Sequence, residues 1–139
     1  MKLLDTNVIM YALGRDHPYR EACFAIVQEA RRDPEAFGID AELGQELLDV
    51  YVRREGLARA SEAVTRTFAI FPYPFAITRR EIEQAVLLLK PRSSLSPRDA
   101  IHAAVCLTNG LEGIVSADTA FDRLPGVTRF DPVKLAASG

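Results

Sequence analysis

Hydrophobic positions along the chain alternate between short apolar runs and longer stretches in which apolar residues recur every three or four positions. Such runs are typical of buried strands, and such stretches of amphipathic helices. The alternation predicts an α/β fold in which a central parallel sheet of four to five strands is flanked by helices. Four runs are predicted to be strands, at residues 2–4, 36–39, 113–116 and 127–130.

Helix boundaries are marked by capping residues and by helix breakers. Asp5 or Thr6 can cap a first helix that ends near Gly14, and a second helix is expected after Pro18, ending at residues 33–34. Two further helices are predicted in the middle of the chain: one that Asp40 caps and that carries residues 42–51, and one from Leu57 to about Phe71. Another helix begins at a capping box of Thr78 and Glu81 and runs through Leu89. The last predicted helix covers residues 97–107 and is capped by Ser96.

Length and composition fit one domain. The chain has 139 residues, of which 48% are hydrophobic, and this is enough for one buried core. The segment 91–97 is rich in proline and serine and is predicted to be a loop within that domain. We therefore expect a single domain over residues 1–139.

Charge, cysteine content and hydropathy restrict the possible functions. With a formal net charge of -2, the chain would need a local basic patch or bound metal ions to hold a polyanion. Cys23 and Cys106 form no paired motif, which argues against a zinc site or a disulfide framework and favours a reducing cytoplasm. No apolar run approaches the ~18 residues of a membrane span, so neither membrane insertion nor secretion is indicated.

Four acidic residues fall where a parallel α/β fold could bring their side chains to one edge of the sheet, and they are Asp5, Glu46, Asp99 and Asp118. Ligand sites in open parallel sheets lie at that edge. Carboxylates that converge repel one another, and a bound Mg²⁺ or Mn²⁺ is the usual relief. The pattern therefore predicts a metal site, at which phosphodiester cleavage would need no serine, cysteine or histidine nucleophile.

Each of these acids also has an ordinary structural interpretation. Asp5 and Asp118 can cap the elements that follow them, and Asp99 would benefit from the dipole at the start of its helix. Glu46 and Glu42 lie one turn apart and can form a solvated helix face. Both interpretations stay open on the local pattern alone.

His102 and four arginines are further candidates for binding a metal ion or phosphate. His102 lies three residues after Asp99 and could be a metal ligand or a base, although a buried hydrogen-bonding role is favoured. The arginines that border the loop can contact phosphate or be solvated, and they are Arg79, Arg80, Arg92 and Arg98.

Four segments, taken in their order, resemble the successive motifs of PIN-domain ribonucleases. They are residues 5–8 (DTNV), 45–48 (QELL), 99–104 (DAIHAA) and 116–122 (SADTAFD). The likeness covers almost the whole chain, and the short single-domain layout is similar to the VapC toxins of bacterial toxin–antitoxin pairs. The resemblance implies an Mg²⁺- or Mn²⁺-dependent endoribonuclease that cleaves single-stranded or loop RNA.

The resemblance also implies roles for particular residues. The metal-binding acids would be Asp5, Glu46, Asp99 and Asp118, with Thr6, Asn7 and Ser116 orienting ligands or water. Glu46 is preferred to Glu42 because it lies six positions after Asp40, which matches the family's distance from strand end to acid. Ala120 stands where the family often has a further acid, so Asp122 is considered in its place.

Members of the VapC family typically form homodimers and are inhibited by a VapB-type antitoxin, so both partners are expected of a cytoplasmic protein here. Three other functions stay open. One is a housekeeping PIN nuclease, and a second is a phosphatase with Asp5 as nucleophile, although such an enzyme normally has an aspartate where Asn7 stands. The third is a non-enzymatic module whose acidic pocket holds an arginine-bearing partner.

Overall fold

Short parallel strands form the centre of the computed structural model, which describes residues 1–14, 16–91 and 94–139. The strands are β1 (Lys2–Leu4), β2 (Phe37–Gly38), β3 (Ile114–Val115) and β4 (Arg129–Phe130). Their order in the sheet is β2-β1-β3-β4, and every pairing is parallel. The prediction of an α/β fold with a parallel sheet of four to five strands is confirmed.

Helices cover both faces of this sheet. In chain order they are α1 (Thr6–Leu13), α2 (Arg20–Arg32), α3 (Ala41–Glu55), α4 (Leu57–Ile70), α5 (Arg79–Leu88), α6 (Pro97–Thr108), a short 3₁₀ helix (Thr119–Arg123) and α7 (Pro132–Ser138). Within the described ranges, no helix is long and apolar enough to cross a membrane.

The helix starts follow the capping residues in the sequence. Asp40 accepts a hydrogen bond from the backbone of Leu43 at the start of α3, and Ser96 does the same for Asp99 at the start of α6. Helix α7 is absent from the elements expected above, although an aspartate cap at Asp131 followed by proline is a helix-start signal. Within the predicted loop 91–97, the proposed phosphate contact Arg92 and its neighbour Ser93 lie outside the described residues.

Side chains from the strands alternate between two hydrophobic clusters, one on each face of the sheet. Leu4 and Val115 pack with α1 to α4 on one face, whereas Leu3 and Ile114 pack with α5 and α6 on the other. All four are fully buried, as expected when helices cover both faces of a parallel sheet. Successive residues of β1 and β3 therefore contribute to both layers.

The carboxyl ends of the strands bring polar residues to one edge of the sheet. Asp5 follows β1, Asp40 lies two residues beyond β2, and Ser116 follows β3. The backbone N–H of Asp5 donates to the carbonyl of Val115 over 3.0 Å, so the ends of β1 and β3 are directly joined. This edge is where ligand sites of open parallel sheets lie.

A side chain at Gly113 would collide with the backbone that leads into β4, because a Cβ there would lie 2.1 Å from the carbonyl oxygen of Thr128. Gly113→Ala should therefore lower the free energy of unfolding by about 2–3 kcal/mol. Gly110 is the matched control, because it has a φ of +60° but open space around its Cβ position, and Gly110→Ala should cost about 1 kcal/mol. Urea unfolding of both variants measures the difference, and equal losses would contradict the close approach.

Candidate active site

Asp5 is the most buried of the four candidate metal ligands, with 5% of its surface exposed. One carboxylate oxygen accepts a hydrogen bond from the backbone N–H of Thr6 over 2.7 Å, so Asp5 caps α1. The other oxygen accepts from the Ser116 hydroxyl over 2.6 Å and from the Asn7 amide over 3.1 Å. The capping interpretation is therefore confirmed, and it is compatible with a second role because only one oxygen serves the cap.

Ser116 and Asn7 connect Asp5 to the loop after β3. The Asn7 amide also donates to the Ser116 hydroxyl oxygen over 3.2 Å, and that oxygen accepts from the backbone N–H of Asp118 over 3.0 Å. Asp118 in turn caps the 3₁₀ helix by accepting from Ala120 over 2.9 Å. The side chains of Asp5, Asn7 and Ser116 and the backbone N–H of Asp118 thus form one connected network across the ends of β1 and β3.

Asp99 lies in the first turn of α6, but Ser96 is the residue that caps this helix. Burial and then the charge of Asp118 raise the pKa of Asp99, against a hydrogen bond from Ser96 that lowers it. Burial, with the charge of Asp99 adding to it, raises the pKa of Asp5 to about 6, although His102 and Ser116 act in the opposite direction. Three aspartates therefore influence one another electrostatically at this edge.

His102 is fully buried beneath the acids and confirms the favoured hydrogen-bonding interpretation. Its Nδ1 lies 2.7 Å from the Asp40 carboxylate, and its Nε2 lies 3.4 Å from the Thr6 hydroxyl. The same Nε2 is 3.7 Å from an Asp5 oxygen and 3.8 Å from a Glu46 oxygen. Although burial favours the neutral ring, the charge and hydrogen bond of Asp40, with Glu46 and Asp5, raise the pKa of His102 well above its usual range.

Glu46 faces the site from α3 and is ion-paired. Arg98 Nη1 lies 3.4 Å from Glu46, and Arg98 Nε lies 3.2 Å from Glu42 one turn earlier. Burial would raise the pKa of Glu46, but hydrogen bonds with His102 and Thr6 and the charge of Arg98 lower it. The solvated-face interpretation is wrong for both glutamates, because each side chain is mostly covered and paired with Arg98.

Asp122 is engaged elsewhere, with Arg129 of β4. The guanidinium donates to both Asp122 oxygens, over 2.6 and 3.3 Å, and to the carbonyl of Ser116 over 3.0 Å. The charge and hydrogen bonds of Arg129 keep the pKa of Asp122 below its usual range. Asp122 as a further contributor to the site stays a prediction, and its observed contact ties the loop of Asp118 to β4.

The donor set fits a hard divalent cation. The candidate ligands are carboxylate oxygens, which Mg²⁺ and Mn²⁺ prefer to nitrogen or sulfur. Asp5, Asp99 and Asp118 have no arginine or lysine ion pair within the described residues, so a cation would relieve their repulsion. In the same part of the chain, no three acidic, histidine or cysteine side chains are arranged as a ready-made cage.

The contacts of Asp40 with His102 and of Arg98 with the two glutamates could not be predicted from the sequence. These pairs are separated by 62 and 56 positions, and no local pattern joins residues so far apart. The one available signal was that His102 is polar in a helix whose other inward residues are small or apolar. Such a residue needs a buried partner.

The fold and the acidic edge define a PIN-domain protein, and the chain matches the family model of the PIN domain over residues 2–127. It is 33% identical over 132 residues to the Ribonuclease VapC13 of Mycobacterium tuberculosis, covering 93% of this chain and 98% of that relative. It is also 33% identical over 121 residues to the Ribonuclease VapC23 of the same species, covering 85% of this chain and 93% of that relative. The chain therefore belongs to the VapC ribonucleases of the PIN-domain family.

Solved structures share the fold. FitAcB from Neisseria gonorrhoeae superposes with a TM-score of 0.71 at 22% identity, over 96% of this chain and 99% of that one. VapBC2 from Rickettsia felis, bound to a DNA fragment from its promoter, superposes with a TM-score of 0.70 at 12% identity, over 93% and 96% of the two chains. At these identities the likeness supports the fold.

The His102 environment predicts a pH dependence of stability in the metal-free protein. Because the pKa of His102 is raised on folding, its stabilisation is fully present below the unfolded value near 6.5 and is lost as pH rises toward the folded value. The free energy of unfolding, measured with urea in the presence of a chelator, should be up to about 2 kcal/mol greater at pH 6 than at pH 8. The raised pKa of Asp5 acts in the same direction.

Asp40→Asn is the control for this measurement. Asparagine is as good an N-cap as aspartate, so the variant keeps the cap of α3 but removes the charge that faces His102. Most of the pH dependence should disappear. Greater stability at pH 8 than at pH 6 in the unsubstituted protein would show that the assigned direction is wrong.

Proposed function

We propose that Asp5, Glu46, Asp99 and Asp118 bind the catalytic Mg²⁺ or Mn²⁺ of an endoribonuclease, the toxin of a type II toxin–antitoxin pair. Membership of the VapC ribonucleases makes the chain an endoribonuclease toxin, and ribonucleases of this family generally depend on a divalent metal. The observation that carries the site assignment is the convergence of three aspartates at the carboxyl edge of the sheet without an arginine or lysine ion pair among the described residues. RNA in single-stranded or loop form is the proposed substrate.

The side chains divide into groups that bind the cation and groups that hold them in place. A bound ion supplies a water of lowered pKa and stabilises charge on the phosphodiester oxygens. Ser116 and Asn7 hold one Asp5 oxygen, which restricts that carboxylate to one rotamer. Thr6 contacts the ring of His102 below the acids. Asp122 acts at a distance, since Arg129 links it to the carbonyl of Ser116.

The rival functions fit these contacts less well. An aspartate-nucleophile phosphatase would use a second acid two residues after Asp5, where this chain has Asn7. Asn7 donates to Asp5 and so cannot act as the neighbouring acid that such an enzyme uses. A non-enzymatic module whose acidic pocket only binds an arginine-bearing partner would not cleave RNA. The toxin assignment, rather than a housekeeping nuclease, rests on the VapC ribonucleases among the relatives.

Replacing any of the three clustered aspartates should remove cleavage. Asp5→Asn, Asp99→Asn and Asp118→Asn preserve shape but remove a ligand charge, so the rate of RNA cleavage with Mg²⁺ or Mn²⁺ should fall by about 100-fold or more. The assay uses purified protein and a labelled RNA, with products expected to carry a 5′-phosphate and a 3′-hydroxyl. A chelator should stop cleavage, and either ion should restore it.

Asp49→Asn provides the matched control for these variants. Asp49 lies on α3 three residues after Glu46 and pairs with Arg53, and because it is not a proposed ligand, its replacement should leave the rate unchanged. Full activity in Asp5→Asn and Asp99→Asn would refute the proposed ligands. Trapping of a phosphorylated Asp5 would favour the phosphatase instead.

Two protein partners are part of the proposal. An antitoxin of the VapB type is supported by structural neighbours that are toxin–antitoxin complexes, among them one from Klebsiella pneumoniae. A homodimer is supported by apolar side chains that α5 leaves exposed in the single chain. Ile82 and Val86 lie one turn apart on this helix, and Leu87 is next to them. We place the dimer contact on this face of α5.

A charge on α5 should therefore weaken self-association. Val86 is 64% exposed in the single chain, so Val86→Glu should not disturb the core. The dissociation constant of the dimer, measured by sedimentation, should rise at least tenfold, which corresponds to about 1.4 kcal/mol. Val133→Glu, at an exposed valine of α7, is the control. An unshifted dimer in Val86→Glu, or a monomeric unsubstituted protein, would contradict this placement.

A further inference from the structure

Arg98 lies at the second position of α6, between the proline that begins the helix and the proposed ligand Asp99. Its side chain crosses to α3, where Nε lies 3.2 Å from Glu42 and Nη1 lies 3.4 Å from Glu46. The side chains of Glu42 and Glu46 are 18% and 21% exposed, and that of Arg98 is 37% exposed. These ion pairs are therefore shielded from water more than ordinary surface pairs are.

Among the arginines and lysines that the structure describes, Arg98 is the one that forms an ion pair with any of the four proposed ligands. It therefore occupies the α3 side of the site with a positive charge. A divalent cation that binds Glu46 must compete with this charge for the same carboxylate. The competition is local, because the aspartates on the opposite side have no such partner within the described ranges.

Glu42 gives the guanidinium a second position. Glu42 and Glu46 lie four residues apart, so they share a face of α3. The planar fork of arginine can hold two carboxylates at once, which a lysine ammonium cannot do with the same geometry. Arg98 can consequently release Glu46 and stay paired with Glu42, without leaving a charged group unpaired at a half-buried position.

We propose that Arg98 is an internal counter-cation that competes with the divalent ion for Glu46, and that Glu42 is the residue that holds Arg98 when Glu46 is released. Arg98 is thus a positioning residue that sets the affinity of the site for its metal. This inference rests on the proposed metal site. It assigns a function to Glu42, which is one turn from the ligand and is not itself a ligand in this scheme.

The test is Mn²⁺ binding to the purified full-length chain at low ionic strength, measured from the electron paramagnetic resonance signal of free Mn²⁺. Arg98→Met should bind Mn²⁺ roughly five- to tenfold more tightly, because the competing charge is gone. Glu42→Gln should bind it more weakly, because Arg98 then pairs with Glu46 alone. In the Arg98→Met background, Glu42→Gln should change the dissociation constant much less than in the unsubstituted protein.

The combined variant separates competition from simple charge. If Glu42 acted only as one more negative charge, Glu42→Gln would have the same effect in both backgrounds, and that result would overturn the proposal. Unchanged or weaker Mn²⁺ binding in Arg98→Met would also overturn it. Arg53→Met removes an arginine from an exposed pair with Asp49 on the same helix α3, and it should leave the dissociation constant unchanged.

Failure of the metal site itself is recognised separately. Asp5→Asn and Asp99→Asn should lose Mn²⁺ binding, and if they bind as the unsubstituted protein does, the site assignment fails and this inference with it. If they lose binding while Arg98→Met gives no tighter binding, the metal site stands and the role of Arg98 is refuted. Circular dichroism spectra of all variants verify that each is folded.

Discussion

The buried contact between His102 and Asp40 is the interaction on which the arrangement of the acids depends. The two side chains meet at 2.7 Å and join α6 to the end of β2. The far nitrogen of the same ring lies within 4 Å of Asp5 and Glu46. A polar ring this deeply buried requires partners on both nitrogens. Satisfying one histidine therefore holds α3, α6 and the ends of two strands in a fixed relation.

The burial of the acids at this edge lowers the stability of the fold, although the same acids form the proposed site. Burial raises the pKa of Asp5 to about 6, and burial together with Asp118 raises that of Asp99. In the metal-free protein these carboxylates resist ionisation, which is unfavourable for folding at neutral pH. On the α3 side of the site, Arg98 balances the negative charge of Glu46. Unfavourable ionisation that is confined to a few acids at a strand edge is expected at a functional site.

More of the fold than of the site could be predicted from the sequence, because the fold signals are local and the site contacts are not. Caps such as Asp40 and Ser96 act on backbone groups within three residues, so the local sequence reveals them. Strand runs and the parallel class follow from hydropathy in the same way. The contacts of His102 with Asp40 and of Arg98 with Glu42 span 62 and 56 positions. Their existence depends on how α3 and α6 pack, and no local pattern encodes this.

Ala120 departs from the residue that the family often has, and the contacts around it show what Asp122 does instead. Alanine stands where the family often has a further acid, and Asp122 was the candidate to replace it. Arg129 is only 14% exposed and holds both Asp122 oxygens. Withdrawing Asp122 from Arg129 would leave a largely buried guanidinium without its closest partner, and this is costly. The contact of Asp122 with Arg129 therefore ties the loop of Asp118 to β4, and the proposed ligands remain Asp5, Glu46, Asp99 and Asp118.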